Sequence, residues 1–364
     1  MEAAHCRDSL DHLLTDEIAS LGMVIGAAWA GARAMTATAG PGISLMSEFT
    51  GLAYYAEVPA VIFDVQRVGP STGLPTRTAQ GDLLFAAFLS HGDTRHLLLI
   101  PASVDECYSM AMDAFDLAER FQTPVFVMMD LDLGMNNWAA DPFTYPETPI
   151  DRGKRLDAEQ LKKLGEWGRY KDVDGDGVAW RSVPGDGMPA YFTRGSGHNA
   201  RAQYSERPDD YVNNVDRLAR KFETARQHVP KPIVERVDGA RIGFIAYGTS
   251  HYATQESRDQ LRDEAGLATS YLRLRAFPFT EELGAFIDAH DRVYVIEQNR
   301  DAQMVQLMKM DLRPEQVARL RSVLHYSGLP IDARSISDDV LAQEGLEVAR
   351  PAAGRVSVPA SGGE

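Results

Sequence analysis

The stretch AVIFDVQRVGPSTGLPTRTAQGD, residues 60–82, runs from an apolar segment straight into a loop carrying Arg67, Ser71, Thr72, Thr76, Arg77 and Thr78. The run AVIFDVQ reads as a strand of a parallel sheet covered on both faces, because such strands are apolar almost throughout. In open α/β sheets ligands bind beyond the carboxyl ends of the strands, which gives the polarity of the loop a reason.

The text on either side has the same grammar. Upstream, Ile18, Leu21, Ile25 and Trp29 recur at helical spacing, with Thr15 as the expected N-cap and Gly22, Gly26 and Gly31 permitting close packing. AMTATA and ISLMSEFTGLAYYA follow, and after the loop come GDLLFAAFLS, HLLLIPA, VDECYSMAMDAFDLAERF and PVFVMMDLDL. Apolar runs alternating with helical patterns predict an α/β domain. From about residue 136 the composition turns to Pro, Gly, Asp and Tyr, as in WAADPFTYPETP and VPGDGMP. The alternation then resumes with RIGFIAYGTS, a helical stretch from Glu256 to Glu264, the strand SYLRLRAFPF, the helix EELGAFIDAH, the strand RVYVIEQN and the helix AQMVQLMKM. The expected organisation is an α/β domain over 1–135, an irregular extension and linker over 136–238, a smaller α/β domain over 239–345 and a disordered tail over 346–364.

Composition excludes several functions. A net charge of −15 without local Lys/Arg clusters argues against nucleic-acid binding. The absence of a membrane-length apolar run and of a signal-peptide pattern leads to a cytoplasmic expectation. Two cysteines, Cys6 and Cys107, are too few for an iron–sulfur cluster or a structural zinc, so any redox metal is expected on another chain.

Four features invite a chemical reading. KDVDGDGVAW places Asp172, Asp174, Asp176 and Gly177 at EF-hand spacing, but Val183 stands where the bidentate Glu belongs, and a solvated acidic turn competes with cation binding. GDG at 185–187 with Asn213 and Asn214 imitates a thiamine diphosphate and magnesium signature, yet the text between is polar and irregular, and turn or capping duty fits it better. Glu17 is either a first-turn acid favoured by the helix dipole or a carboxylate at a packed sheet end facing a ligand's ring nitrogen. His198, flanked by glycine, is either a binding residue or a turn histidine. No H-x-x-x-H pair and no G-x-S-x-G elbow is present.

The run TDEIASLGMVIGAAWAGARAMTATAGPGISLMSE, followed by AVIFDVQRVGPSTGLPTRTAQGDLLFAA, resembles the alpha subunit of 2-oxoacid:ferredoxin oxidoreductases, above all the 2-oxoglutarate branch. RYKDVDGDGVAWRSVPG, AYFTRGSGHNARAQYSERPDDYVNNVDRLARKFETAR and RVYVIEQNRDAQM are similar to the same subunit in the same order. The resemblance implies a thiamine-diphosphate-binding-type parallel-sheet domain, the pyrimidine domain, plus a transketolase C-terminal-like domain. It also implies oxidative decarboxylation of 2-oxoglutarate with coenzyme A to succinyl-CoA and CO2, with electrons passed to ferredoxin. A beta subunit would hold the diphosphate, Mg and a [4Fe–4S] cluster, in a heterotetramer of two alpha and two beta chains.

By the same resemblance Glu17 hydrogen-bonds the aminopyrimidine ring nitrogen and stabilises the tautomer whose exocyclic nitrogen takes the proton from thiazolium C2. Thr38 and Gly40 would sit beside the cofactor. Arg67 would grip the substrate carboxylate with its planar fork, a structural salt bridge being the alternative, and Ser71, Thr72, Thr76 and Arg77 would line the mouth as further donors. Family members normally carry, ahead of the Glu helix, a strand ending in a Tyr-Pro-x-Thr-Pro loop. The chain is read as N-terminally shortened, and TYPETP at 144–149 as unrelated to that loop. Competing readings are a non-catalytic structural subunit, pyruvate or a branched-chain oxoacid as substrate, and a dehydrogenase of the lipoamide-linked E1-beta type.

Overall fold

The computed structural model describes residues 16–164, 167–186 and 193–347. Thr15, Gly187 and nearly all of the tail expected over 346–364 lie outside them. In chain order the strands are β1 (Met35–Thr38), β2 (Ala60–Val68), β3 (Leu74–Thr78), β4 (Leu97–Leu99), β5 (Pro124–Asp130), β6 (Ile233–Glu235), β7 (Ile242–Ala246), β8 (Thr269–Arg273), β9 (Ala276–Phe277), β10 (Arg292–Glu297) and β11 (Leu320–Leu324). They build two sheets, ordered β1-β2-β5-β4-β9 with β3 paired to β2, and β11-β10-β7-β8-β6.

Within each sheet the four strands β1, β2, β5, β4 and β11, β10, β7, β8 run parallel. The inner strands β4, β5, β7, β8 and β10 are buried almost throughout, because helices cover both faces: Val125, Phe126, Val127, Phe244, Ile245, Val295 and Ile296 are all at 0% exposure. The edge strands β1 and β11 are largely exposed or half-buried. The fold is α/β, a thiamine-diphosphate-binding-type sheet domain joined to a second parallel-sheet unit.

The local detail departs from the expectation in four places. The helix Glu17–Trp29 is capped by Asp16, whose carboxylate accepts from the backbone N–H of Ile18 at 2.8 Å and of Ala19 at 3.3 Å, so the cap is not Thr15. SYLRLRAFPF is not one strand: β8 lies in the second sheet, and β9 crosses to pair antiparallel with β4 of the first, Leu98 opposite Phe277. The edge strand β6 comes from the stretch read as linker and pairs antiparallel with β8. That same stretch holds the 18-residue helix Pro208–Ala225, whose Leu218, Phe222 and Ala225 pack onto the first unit.

Beneath this helix Glu57 is 1% exposed and forms salt bridges to Arg217 at 2.5 Å and Lys221 at 2.9 Å, while Arg169 donates to its backbone oxygen at 2.7 Å. The supposed extension is therefore anchored by an ion cluster as well as by apolar contact. One buried core runs from Leu21 and Val61 through Phe126 to Phe277, Phe286 and Met308, so the two sheets share it. No helix among the described residues is long and apolar enough to cross a membrane.

Candidate active site

Glu17 opens its helix at the carboxyl end of β1, and Thr38 Oγ, the last residue of that strand, donates to its Oε1 at 3.3 Å. The helix Gly40–Leu45 presses against both: a Cβ on Gly42 would stand 1.9 Å from Thr38 Oγ and 2.8 Å from Glu17 Oε1. Only a residue without a side chain fits there. Gly40 closes on the other side over Asp82, whose Oδ2 would be 2.7 Å from an added Cβ. The structure thus brings together three of the residues singled out from sequence, Glu17, Thr38 and Gly40, and adds Gly42 and Asp82, which sequence reasoning passed over.

β2 forms the floor of the same end. Thr38 is in register with Asp64, a fully buried acid, and Arg67 follows in the same strand, half-buried, with its Nε lacking a hydrogen-bond partner among the described residues. Asp64 is the other omission; its signal was a charged letter inside AVIFDVQ. The polar loop then divides in two. Ser71 and Thr72 occupy the exposed turn and Thr76 and Arg77 the exposed strand β3, with no hydrogen bond to the Glu17 cluster among the described residues. Residues 78–82 turn inward against the second unit. Gln80 donates to Asp130 Oδ2 at 3.0 Å and to the Tyr247 carbonyl at 3.2 Å, and accepts from Ser250 Oγ and the Gln298 N–H. Gln303 Nε2 donates to the Gly81 carbonyl at 2.6 Å.

The remaining motifs are structural. Lys154 Nζ sits in the EF-hand-like turn, donating to Asp174 at 2.5 Å, Asp176 at 2.7 Å and the Val178 carbonyl at 2.9 Å, so a tethered ammonium occupies the position a cation would take. Asn214 is buried and donates to the His198 carbonyl at 2.6 Å, which is turn duty rather than magnesium binding, and Gly187 of the GDG triplet lies outside the described residues. His198 is 1% exposed and stacks on Tyr170 at 3.9 Å between centroids; burial holds its pKa down, and it is a core histidine. TYPETP lies far in sequence from the Glu17 cluster, its Thr144 carbonyl accepting from Tyr108 Oη.

A carboxylate, a hydroxyl donor and two glycine approaches at the carboxyl end of parallel strands make the ligand-binding end of an α/β sheet. The family model described as "Pyruvate flavodoxin/ferredoxin oxidoreductase, thiamine diP-bdg" matches residues 12–147. The chain is 35% identical over 271 residues to the 2-oxoglutarate synthase subunit KorA of Methanocaldococcus jannaschii, covering 74% of this chain and 71% of that one. It is 33% identical to the 2-oxoacid:ferredoxin oxidoreductase 2 subunit alpha of Aeropyrum pernix, covering 87% of this chain and 49% of that subunit. A solved 2-oxoglutarate:ferredoxin oxidoreductase from Magnetococcus marinus, with 2-oxoglutarate, coenzyme A and succinyl-CoA bound, superposes with a TM-score of 0.81 at 30% identity, covering 90% of this chain and 56% of that one. The chain belongs to the family of 2-oxoacid:ferredoxin oxidoreductase alpha subunits. It spans about half the length of the Aeropyrum subunit.

Proposed function

We propose that this chain is the alpha subunit of a cytoplasmic, thiamine-diphosphate-dependent oxidoreductase that converts 2-oxoglutarate and coenzyme A to succinyl-CoA and CO2 and passes the electrons to ferredoxin. A beta subunit holds the diphosphate, its Mg and the [4Fe–4S] cluster, in an assembly of two alpha and two beta chains. The observation that carries the reading is the Glu17–Thr38–Gly42 contact, a carboxylate aligned at a sheet end within a sequence of this family.

The residues present fit the cofactor's ring. Glu17 is only partly buried and Thr38 uses one of its acceptor positions, so capacity remains for a ring nitrogen. When bound, thiamine diphosphate supplies a carbon nucleophile and an electron sink. Glu17 orients the ring and holds a proton at its nitrogen, and Gly42 lets the helix Gly40–Leu45 close behind the carboxylate. Arg67 offers a planar fork to the substrate carboxylate, and the loop donors Ser71, Thr72, Thr76 and Arg77 suit the second carboxylate of 2-oxoglutarate.

The test is to purify the chain with its beta subunit and follow dye reduction that depends on 2-oxoglutarate, coenzyme A and thiamine diphosphate, with pyruvate and branched-chain oxoacids as comparison substrates. Glu17→Gln is expected to lower kcat by about 10²–10⁴-fold while leaving assembly intact. Unchanged residual activity in that variant would favour a structural subunit, and no turnover with any 2-oxoacid would end the proposal.

A further inference from the structure

Two acids at the same sheet end as Arg67, Asp64 buried and Asp82 partly buried, take no part in the reading above. Asp64 is at 0% exposure in the middle of the first sheet, and neither carboxylate oxygen has a hydrogen-bond partner among the described residues. An ionised carboxylate is heavily penalised in such surroundings, whereas a neutral acid is not. Burial pushes its pKa well above the ordinary value, and the charge of Asp82 pushes the same way. Asp82 lies under Gly40, its N–H donating to Gln66 Oε1 at 3.1 Å and its Oδ2 buried without a partner among the described residues. Burial raises it to about 6, against the pull of Arg67. The charged groups facing this spot are Glu17 from its helix, Asp64 and Arg67 from β2, and Asp82 from the turn before the helix Leu83–Ala87.

We propose that Asp64 and Asp82 form a charge-regulating acid pair behind Arg67: Asp64 stays a neutral carboxylic acid, and Asp82 is the exchangeable counter-charge of the guanidinium, taking up a proton when an anionic carboxylate docks there. With Asp64 neutral, Arg67 and Asp82 balance. A docking carboxylate brings a second negative charge to one guanidinium, and a solvent proton joining an Asp82 oxygen restores neutrality. The proton leaves a buffer acid or hydronium as the O–H bond to Asp82 forms, with no change of oxidation state, and the docking carboxylate replaces Asp82 as the counter-charge of the guanidinium. Asp64 and Asp82 are positioning residues, acting through Arg67.

The coupling half rests on Arg67 as the substrate anchor; the neutral-acid half does not. Infrared spectra of the full chain on either side of pH 6 are expected to show a protonated-carboxyl carbonyl band that Asp64→Asn removes, and a second that fades as pH rises through about 6 and that Asp82→Asn removes. A spectrum unchanged by Asp64→Asn overturns the neutral acid. Calorimetry of 2-oxoglutarate binding to the complex with the beta subunit, in buffers of different ionisation enthalpy above pH 6, is expected to show uptake approaching about one proton per ligand. Asp82→Asn should abolish that uptake. The same uptake in the variant, or none in the wild type, overturns the coupling. A complex that binds no 2-oxoacid overturns the Arg67 reading and the coupling with it, while the Asp64 band still decides the other half.

Discussion

Glu57 and Asp64 are carboxylates of the same sheet unit, both all but inaccessible, and they have been treated in opposite ways. At the seam under the helix Pro208–Ala225, burial alone would raise the pKa of Glu57, but Arg217 and then Lys221 outweigh it and hold the group below the usual carboxylate range. At the mouth beyond β1 and β2, burial prevails: Asp64 has no cation to offset it, Asp82 has only the pull of Arg67, and both are pushed up. A buried charge with a full set of partners is a fastening, whereas one left without partners marks a place where the chain keeps electrostatic capacity for something it binds.

The comparison breaks first at the seam. Glu57→Ala strips two buried cations of their partner and is expected to cost about 3–5 kcal/mol, read from the midpoint of urea unfolding. A loss below about 1 kcal/mol would mean that the cluster fastens nothing. The two regions should also respond to pH with opposite sign. Because Glu57 has a lowered folded pKa, its contribution is complete above the unfolded value and is lost as pH falls through the folded one. Asp82 binds its proton more tightly folded than unfolded, so stability falls as pH rises from about 4 to about 6. Asp82→Asn should remove that fall and stabilise the chain at neutral pH by on the order of 1–3 kcal/mol, measured by thermal unfolding at several pH values. The smallest effect belongs to a third charged group, partly exposed: Lys154→Met should cost about 1 kcal/mol, less at high salt, as Asp174 and Asp176 lose their ammonium.

Sequence patterning reached the sheets because parallel strands covered on both faces are written as short apolar runs, and AVIFDVQ, PVFVMMD and RVYVIE are such runs. It missed the helix Pro208–Ala225 because part of its buried face is Arg217 and Lys221, polar letters whose burial is sensible only beside Glu57, 160 residues earlier for Arg217. It read SYLRLRAFPF as one strand because nothing local says that Ala276 and Phe277 will pair with a different sheet. At the candidate site, Glu17, Thr38, Gly40 and Arg67 were singled out by motif resemblance. Asp64 and Asp82 were not, since a lone acid in a strand carries meaning only once its partners, or their absence, are known.

By itself the sequence determined the class of the fold and the family, because periodicity and ordered motifs are properties of neighbours along the chain. The tertiary structure alone decided which charges are satisfied. It put an ammonium into a turn spaced for calcium, made a glycine-flanked histidine a core residue, turned half of a polar loop into an inter-sheet fastening and left both oxygens of Asp64 and one of Asp82 without a hydrogen-bond partner among the described residues. Those outcomes depend on groups distant in sequence meeting within a few ångströms in a medium that screens charge poorly, which no local pattern encodes.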